Sequence, residues 1–478
     1  MLDLRDLGYL LDDDKFKQGR ILKNFFSGPL ERFHLTVEAP VRQGSRNRPK
    51  RLDMRAIVLA VGNVITEQSP LLEALTEPTI GVFSTALPSW VSRLSHLKRL
   101  DLFDGGALAD EAICGLLHLH CPQLDSLTIY SATSEDADKG IAAFIGGRRP
   151  NSLVHFENIS DCHIGLDTAV ALNKHGKSLA VLKLYLTGGK LQALGCLREC
   201  TSVNTLAIEY SGPADDLKKN DNELYLETSE WLRNCTALRD ISITNMVSAP
   251  DMILPILFTD SIQLHKLQIN SNEGLMYLVK DHQDFHQSLG QKRSLQELSI
   301  RADPEGLVGD PLAEVTNSIC SLSDLRYLHL TRISDYFSNQ HVKAFAQHLV
   351  NLEHIYIGGF GITDGVWDDM ARLKNLKTLT FSGLTTFTAQ GILSFVDQLG
   401  DGNQGLLLGV DNADADAPLT SEEQELVQEA LTAKVNGSFA YQLLRGMLNI
   451  PCHPSFNAFM ILTLYRSEWA GFLLRRRL

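Results

Sequence analysis

The sequence predicts an α/β solenoid in which a strand and a helix alternate along the chain and all strands share one parallel sheet. Two observations carry this prediction. The pattern L-x-x-L-x-L returns at near-regular intervals, and the segments between its copies place apolar residues at helical spacing. Together they describe a leucine-rich repeat, with strands on the concave face and helices on the convex face.

The predicted strands follow the repeated pattern, which is clearest at Leu97-Lys-Arg-Leu100-Asp-Leu102. From Leu97 to Leu376 ten spacings cover 279 residues, a mean of about 28, at the long end of the range of about 20–29 and therefore typical of a helical return. The further copies are Leu124/Leu127/Ile129, Leu153/Phe156 with Asn158 in third place, Leu179/Leu182/Leu184, Val203/Leu206/Ile208, Leu238/Ile241/Ile243, Leu264/Leu267/Ile269, Leu295/Leu298/Ile300, Leu325/Leu328/Leu330, Leu352/Ile355/Ile357, Leu376/Leu379/Phe381 and an outlying Leu30/Phe33/Leu35.

The predicted helices lie between these strands. Their apolar residues recur three, four or seven positions apart, so that they form one buried stripe. The clearest sets are Ile113/Leu116/Leu117, Val342/Phe345/Leu349 and Val366/Met370/Leu373. A nine-residue polar insertion, 215–223, enlarges one repeat to 35 residues, and we expect it to project as a loop.

Charge and composition favour an elongated protein-binding chain. The 478 residues have an apolar content of 44%, enough for a large continuous core. The net charge of −13 argues against a surface for nucleic acids or anionic membranes. A basic stretch is the local exception, either a solvated loop or a patch for nuclear import or an acidic partner; it contains Arg42, Arg46, Arg48, Lys50, Arg51 and Arg55. The acidic start, Met1-Leu-Asp-Leu-Arg-Asp, does not resemble a secretory signal, so we expect a cytoplasmic and/or nuclear protein, with its eight cysteines as thiols.

Four other patterns are similar to known functional motifs, but a structural interpretation is favoured for each. Cys121, Cys200 and Cys235 each lie three residues before the leading apolar residue of a repeat, which indicates a shared core position. Gly358-Gly-Phe-Gly361 lacks the third glycine of a dinucleotide loop and predicts a turn. His282 and His286 have metal-ligand spacing but no third ligand.

The fourth pattern, Asp411-Asn-Ala-Asp414-Ala-Asp416, lacks the glycine and glutamate of a calcium loop and is read as an acidic linker. Thr420 and Glu423 then predict a capping box that opens a helix. The sequence therefore predicts no catalytic residue, no cofactor and no metal.

The candidate binding site is the set of residues that point outward between the leucines of the strands. Tyrosine, histidine and arginine on an exposed sheet are typical of protein interfaces, although aromatic residues also favour strands in general. The densest cluster is on two neighbouring predicted strands. The predicted protein-binding residues are Tyr130, Tyr185, Glu209, Arg301, Tyr327, His329, His354 and Tyr356.

The strand starts Cys121-Pro-Gln-Leu124 and Asn234-Cys-Thr-Ala-Leu238, with Gly361-Ile-Thr-Asp364-Gly365-Val366 before a helix, resemble the cysteine-containing, ribonuclease-inhibitor-like repeats of fungal F-box/LRR proteins. The resemblance covers about 97–436. It implies that the repeats hold a target protein while an N-terminal F-box docks the linker and cullin subunits of an SCF ubiquitin ligase. Residues 1–30 contain no recognisable F-box.

The predicted organisation has four parts. An N-terminal region, 1–56, holds one outlying strand and the basic loop; the solenoid covers 57–410; an acidic linker and capping helix cover 411–440; and an irregular extension covers 441–478.

The predicted function is that of a non-catalytic protein-binding LRR protein, the substrate-recognition subunit of an SCF-type E3 ubiquitin ligase or a remnant without its F-box. The alternative is a stand-alone LRR scaffold, or a regulator of a protein partner such as a small GTPase. We expect no nucleic-acid or membrane partner, and a monomer outside its complex.

Overall fold

The computed structural model describes residues 32–34, 54–69, 71–76, 83–134, 136–160, 164–271, 276–303 and 310–444. Most of the basic stretch and the C-terminal segment from 445 onward lie outside the described residues. No helix in the described ranges combines the length and the apolar character needed to cross a bilayer.

The described residues form one 15-stranded sheet in which every strand pairs in parallel with the next strand of the chain. The strands are β1 Arg32–His34, β2 Ala74–Thr76, β3 Arg99–Asp104, β4 Ser126–Ser131, β5 His155–Asn158, β6 Val181–Leu186, β7 Thr205–Tyr210, β8 Asp240–Thr244, β9 Lys266–Asn270, β10 Glu297–Arg301, β11 Tyr327–Thr331, β12 His354–Gly358, β13 Thr378–Ser382, β14 Leu407–Ala413 and β15 Ser438–Leu443.

The helices return the chain between strands, which is why the strands run parallel. The α-helices are α1 Met54–Gln68, α2 Phe83–Trp90, α3 Glu111–His120, α4 Ala137–Gly147, α5 Leu166–Leu172, α6 Leu217–Asn220, α7 Asn222–Asn234, α8 Ala249–Leu257, α9 Gln283–Ser288, α10 Asp310–Cys320, α11 Asn339–His348, α12 Trp367–Met370, α13 Ala389–Asp397 and α14 Ser421–Val435. Short 3₁₀ turns occupy Val91–Arg93, Gly105–Ala109, Asn173–His175, Leu191–Cys196, Val279–Asp281, Leu289–Gln291, Asp364–Val366 and Asp401–Asn403.

The predicted leucine-rich-repeat solenoid is confirmed. The second apolar residue of each pattern forms a continuous row across the sheet, as at Leu298, Leu328, Ile355 and Leu379. These side chains are at most 1% exposed and pack beneath the helices. The opposite side of the sheet, which carries the residues between the leucines, is called the open face below.

Three strands were not predicted, and local chemistry explains two of them. In the repeats of β14 and β15 the position of the leading leucine is taken by Gly405 and Asn436, whose φ angles are +76° and +51°. Such angles disfavour a leucine, and Leu406, one residue later, is fully buried in its place. The sheet therefore continues past residue 410, and Asp411 lies in a strand and not in a linker.

The third unpredicted strand, β2, has only three residues and shows only Leu72 and Leu75 of the pattern. The predicted projecting loop at 215–223 is also wrong. Its backbone at Asp215 pairs with the neighbouring repeat, and Leu217 in α6 is 2% exposed. A buried leucine within the polar insertion anchors the segment.

Two further structural interpretations, for the three cysteines and for the capping box, are confirmed. Cys121, Cys200 and Cys235 have 0% exposure, and burial raises the pKa of each thiol to about 12. Thr420 and Glu423 form the predicted capping box at the start of α14. Within the described ranges, no group of three His, Cys, Asp or Glu side chains is arranged to hold a metal ion.

Candidate functional site

The open face is built by strand alternation, because every second side chain of each strand points away from the helices. Register then determines which of these side chains become neighbours. Tyr327 on β11 lies opposite His354 on β12, and His329 lies opposite Tyr356. Arg301 on β10 pairs in register with Thr331, the last residue of β11. Five of the eight predicted binding residues therefore lie on three adjacent strands.

We call Tyr327, His329, His354 and Tyr356 the ring cluster. The ring of His329 stacks on that of Tyr356 with centroids 4.3 Å apart and an interplanar angle of 17°. Tyr327 lies 6.3 Å from His329 and 5.8 Å from His354 between ring centroids. All four side chains are partly exposed. The strands thus present one continuous aromatic surface that remains accessible.

Hydrogen bonds fix the orientation of the two histidine rings. In the neutral tautomer that satisfies both contacts, the Tyr327 hydroxyl donates to His329 Nδ1 at 3.3 Å and His329 Nε2 donates to Thr331 Oγ1 at 2.8 Å. His354 Nδ1 lies 3.0 Å from Thr378 Oγ1 on β13. The rings are already ordered in the free protein. Binding of a partner would therefore cost little additional side-chain entropy at these residues.

The ring cluster is uncharged at neutral pH. Burial, helped by the nearby Arg301 guanidinium, lowers the pKa of His329 to about 4. Burial also lowers the pKa of His354 and raises that of Tyr356. A neutral surface of rings is inexpensive to remove from water, which is the property that a protein interface needs at its centre.

Two polar atoms beside the ring cluster are buried and have no hydrogen-bond partner within the described residues. They are Arg301 Nε and Thr380 Oγ1. Arg301 is held by Nη1, which donates to the Ser271 carbonyl at 2.9 Å, and Thr380 lies opposite Tyr356 on β13. Both atoms would gain from a polar group supplied by a bound partner.

The other three predicted residues lie elsewhere on the open face. Tyr130 is on β4, and burial together with Asp101 and Glu157 raises its pKa to about 12. Tyr185 and Glu209 are register partners on β6 and β7. Tyr185 is only 7% exposed, so it offers little surface to a partner.

Ion pairs neutralise much of the remaining open face. Arg99 Nε lies 2.9 Å from Asp101 Oδ2. Glu157 contacts His155 at 3.2 Å and Lys183 at 3.5 Å. The sequence did not predict that His155 and Glu157 lie on the open face, because β5 carries a degenerate copy of the repeat.

The asparagine of that degenerate copy has a structural function. Asn158 is 3% exposed, and its amide Nδ2 donates to the Tyr185 carbonyl at 2.7 Å while its Oδ1 accepts from the Tyr185 N–H at 3.1 Å. The side chain therefore takes the place of backbone pairing where β5 ends. The polar side chain of Asn158 thus completes the hydrogen bonds between neighbouring strands and does not mark a binding site.

The two histidines with metal-ligand spacing do not converge. His282 precedes α9, and its Nδ1 lies 3.6 Å from Asp251 Oδ1. His286 is 1% exposed and its ring lies between those of Tyr277 and Phe285. Burial lowers the pKa of His286 to about 3, which fits a neutral core residue.

Comparison with known proteins gives only distant likenesses in fold. No protein-family model matches the chain, and no curated protein matches it. One similar solved structure is the yeast Rad7–Elc1 complex, at 12% identity and a TM-score of 0.44, covering 76% of this chain and 81% of that one.

Two further solved structures align with parts of the chain. A Bacteroides fragilis protein aligns at 13% identity and a TM-score of 0.25, covering 63% of this chain and 68% of that one. The TLR13–ssRNA13 complex aligns at 13% identity and a TM-score of 0.33, covering 84% of this chain and 61% of that one.

Proposed function

We propose that this leucine-rich-repeat protein is a non-catalytic receptor for a protein partner, which it binds at the ring cluster on the open face. The observation that carries the proposal is the stacked His329–Tyr356 pair flanked by Tyr327 and His354, ordered by hydrogen bonds and still partly exposed. Rigid aromatic side chains on a surface that is easily removed from water contribute much of the binding energy at protein interfaces.

The receptor's role in the cell is proposed to be substrate recognition for an SCF-type E3 ubiquitin ligase. The repeat pattern and its cysteine-bearing strand starts support this role through their resemblance to F-box/LRR repeats. The mechanism would be presentation: the open face holds the substrate while linker and cullin subunits bring the ubiquitin-transfer machinery. The proposed compartment is the cytoplasm and/or the nucleus.

The binding proposal is tested by affinity purification from the native cell with quantitative mass spectrometry. Tyr327→Ala combined with Tyr356→Ala removes two rings of the ring cluster. Tyr225→Ala combined with Phe258→Ala is the matched control, since it removes two aromatic side chains from the helix side of the protein. We expect the first variant to lose its main partner and the second to retain it. Equal recovery by both variants would contradict binding at the ring cluster.

The same purification tests the ligase role separately. Recovery of a cullin and its linker with the wild-type protein supports that role. Abundant recovery of partners without either subunit contradicts it and leaves the binding proposal standing.

A further inference from the structure

Two exposed aromatic residues lie in the loops that follow the two strands of the ring cluster. The loop after β11 exposes Tyr336, and the loop after β12 exposes Phe360; their side chains are 59% and 49% exposed. Phe360 lies four positions after Tyr356, so their Cα atoms are at most about 14 Å apart. The exposed rings therefore lie at the sheet edge where the strands of the ring cluster end.

These two exposed rings are held by rigid backbone. Tyr336 lies between Ile333 and Phe337, which are 2% and 1% exposed. The Phe360 N–H donates to the Asp335 carbonyl at 2.8 Å, which joins the two loops. The two exposed aromatic side chains therefore stand on neighbouring turns that are anchored to the core and to each other.

Glycine makes this arrangement possible. A Cβ on Gly359 would lie 2.4 Å from the Phe337 carbonyl oxygen, and a Cβ on Gly383 would lie 2.7 Å from the Gly359 carbonyl oxygen. The loops therefore stack against each other more closely than any residue with a side chain would allow. The glycine-rich turn at 358–361 thus brings Phe360 against the neighbouring loop and turns its ring outward.

The same edge is acidic. Adjacent loops after β11, β12, β13 and β14 are connected by backbone hydrogen bonds, including Gly361 N–H to Leu384 O and Asp414 N–H to Thr385 O. These loops carry the carboxylates of Asp335, Asp414 and Asp416, and Asp411 lies in β14. Asp364 follows the loop after β12, and its carboxylate accepts hydrogen bonds from Trp367 and Thr388. The single basic side chain of these loops, Arg332, already lies 3.9 Å from Asp303. The edge is therefore an aromatic surface within a negative field.

We propose that this acidic aromatic edge binds a cationic segment of the partner protein, an arginine- or lysine-rich stretch that crosses Tyr336 and Phe360. The inference rests on the proposed function and names the chemistry of the partner. Guanidinium and ammonium groups are attracted to the faces of aromatic rings and to carboxylates. Aliphatic stems of the same side chains cover the rings.

The test uses the full chain and two fluorescein-labelled peptides, (Gly-Arg-Leu)₄ and (Gly-Glu-Leu)₄, with binding followed by fluorescence anisotropy at 50 mM NaCl. We expect binding of the arginine peptide only. Tyr336→Ser with Phe360→Ser should weaken it about tenfold, as expected for losing two exposed cation–π contacts. The matched control, Leu119→Ser with Phe258→Ser, removes two exposed apolar side chains from the helix side and should leave binding unchanged.

A second pair of variants tests the charge. Asp335→Asn with Asp416→Asn should weaken binding of the arginine peptide several-fold, whereas Glu425→Gln with Glu429→Gln, which removes two exposed charges from α14, should not. Equal effects of the two pairs would show non-specific attraction to an acidic protein and would overturn the proposal. Equal binding of the glutamate peptide would also overturn it.

Photocrosslinking distinguishes the possible occupants of the edge. A benzoylphenylalanine at position 336 of the full chain should crosslink to the arginine peptide. Crosslinks to residues 445–478 of the same chain, or to a second copy, would assign the edge to those segments and overturn the proposal. If the Tyr336 and Phe360 variant keeps the cellular partner while the Tyr327 and Tyr356 variant loses it, the edge inference fails and the proposed function stands.

Discussion

The charge state of the ring cluster leads to a prediction about pH. His329 packs against Tyr356 on β12, beside Tyr327 on its own strand and Arg301 on β10, and none of these supplies a negative charge at neutral pH. Burial accordingly lowers the pKa of His329 to about 4, whereas an unfolded chain titrates histidine near about 6.5. The unfolded state therefore binds more protons between these two values.

The sign follows from that difference in proton binding. Stability is fully present above about pH 6.5 and is lost as the pH falls towards about 4, because acid favours the unfolded state. The gap between the two pKa values corresponds to about 3 kcal/mol, since one pKa unit is worth about 1.4 kcal/mol. Of this, about 2 kcal/mol should disappear between pH 7 and pH 4.5.

His329→Phe isolates this contribution because it keeps the stacked ring and removes the titration. The free energy of unfolding is measured by guanidinium titration with circular dichroism at pH 7 and pH 4.5. At pH 7 we expect a loss of about 1 kcal/mol from the missing hydrogen bonds. Between the two pH values the variant should lose about 2 kcal/mol less than the wild type.

His348→Phe is the control, because His348 is an exposed residue at the end of α11. This variant should keep the wild-type pH dependence of stability. His286 makes the stability of the wild type and of both variants sensitive to acid in the same way. Its contribution therefore cancels when their free energies of unfolding are compared. If His329→Phe shows the same loss of stability as the wild type from pH 7 to pH 4.5, the neutral, desolvated state assigned to His329 is wrong.

Three further predictions concern the scaffold. Asn158→Leu restores the repeat pattern but should lower the free energy of unfolding by about 2 kcal/mol, because the two hydrogen bonds between Asn158 and the Tyr185 backbone are lost; an unchanged denaturation midpoint would refute the role given to Asn158. Gly359→Ala should destabilise by about 1–3 kcal/mol through the clash with Phe337, while Gly146→Ala in α4, where nothing lies within 4 Å, should cause no loss. Cys121, Cys200 and Cys235 should resist iodoacetamide in the native protein and react fully in guanidinium, as read by peptide mass spectrometry, because burial raises their pKa values to about 12; rapid native labelling would contradict their burial.

The sequence was sufficient for the solenoid because the same leucine positions recur in almost every repeat. All twelve predicted strands are present in the sheet, including the outlying β1 and the degenerate β5. The final two strands escaped prediction where Gly405 and Asn436 replace the leading leucine. The L-x-x-L-x-L pattern does not predict a repeat whose leading position holds a residue other than an apolar one.

The candidate site was predictable in part for the same reason. Alternation and register followed from the repeat, so the proximity of Tyr327, His329, His354 and Tyr356 could be inferred. The near-complete burial of Tyr185 could not, because it depends on how neighbouring side chains pack. Tyr336 and Phe360 were also missed, although the glycines around Phe360 were visible as a turn signal.

The most direct test of the central claim is hydroxyl-radical footprinting of the chain with and without the partner recovered by affinity purification. Binding at the ring cluster predicts that oxidation of Tyr327 and His354 falls in the complex while that of Tyr225 and Phe258 on the helix side is unchanged. Protection of Tyr225 and Phe258 with no change at Tyr327 and His354 would place the partner on the opposite side of the solenoid and contradict the account.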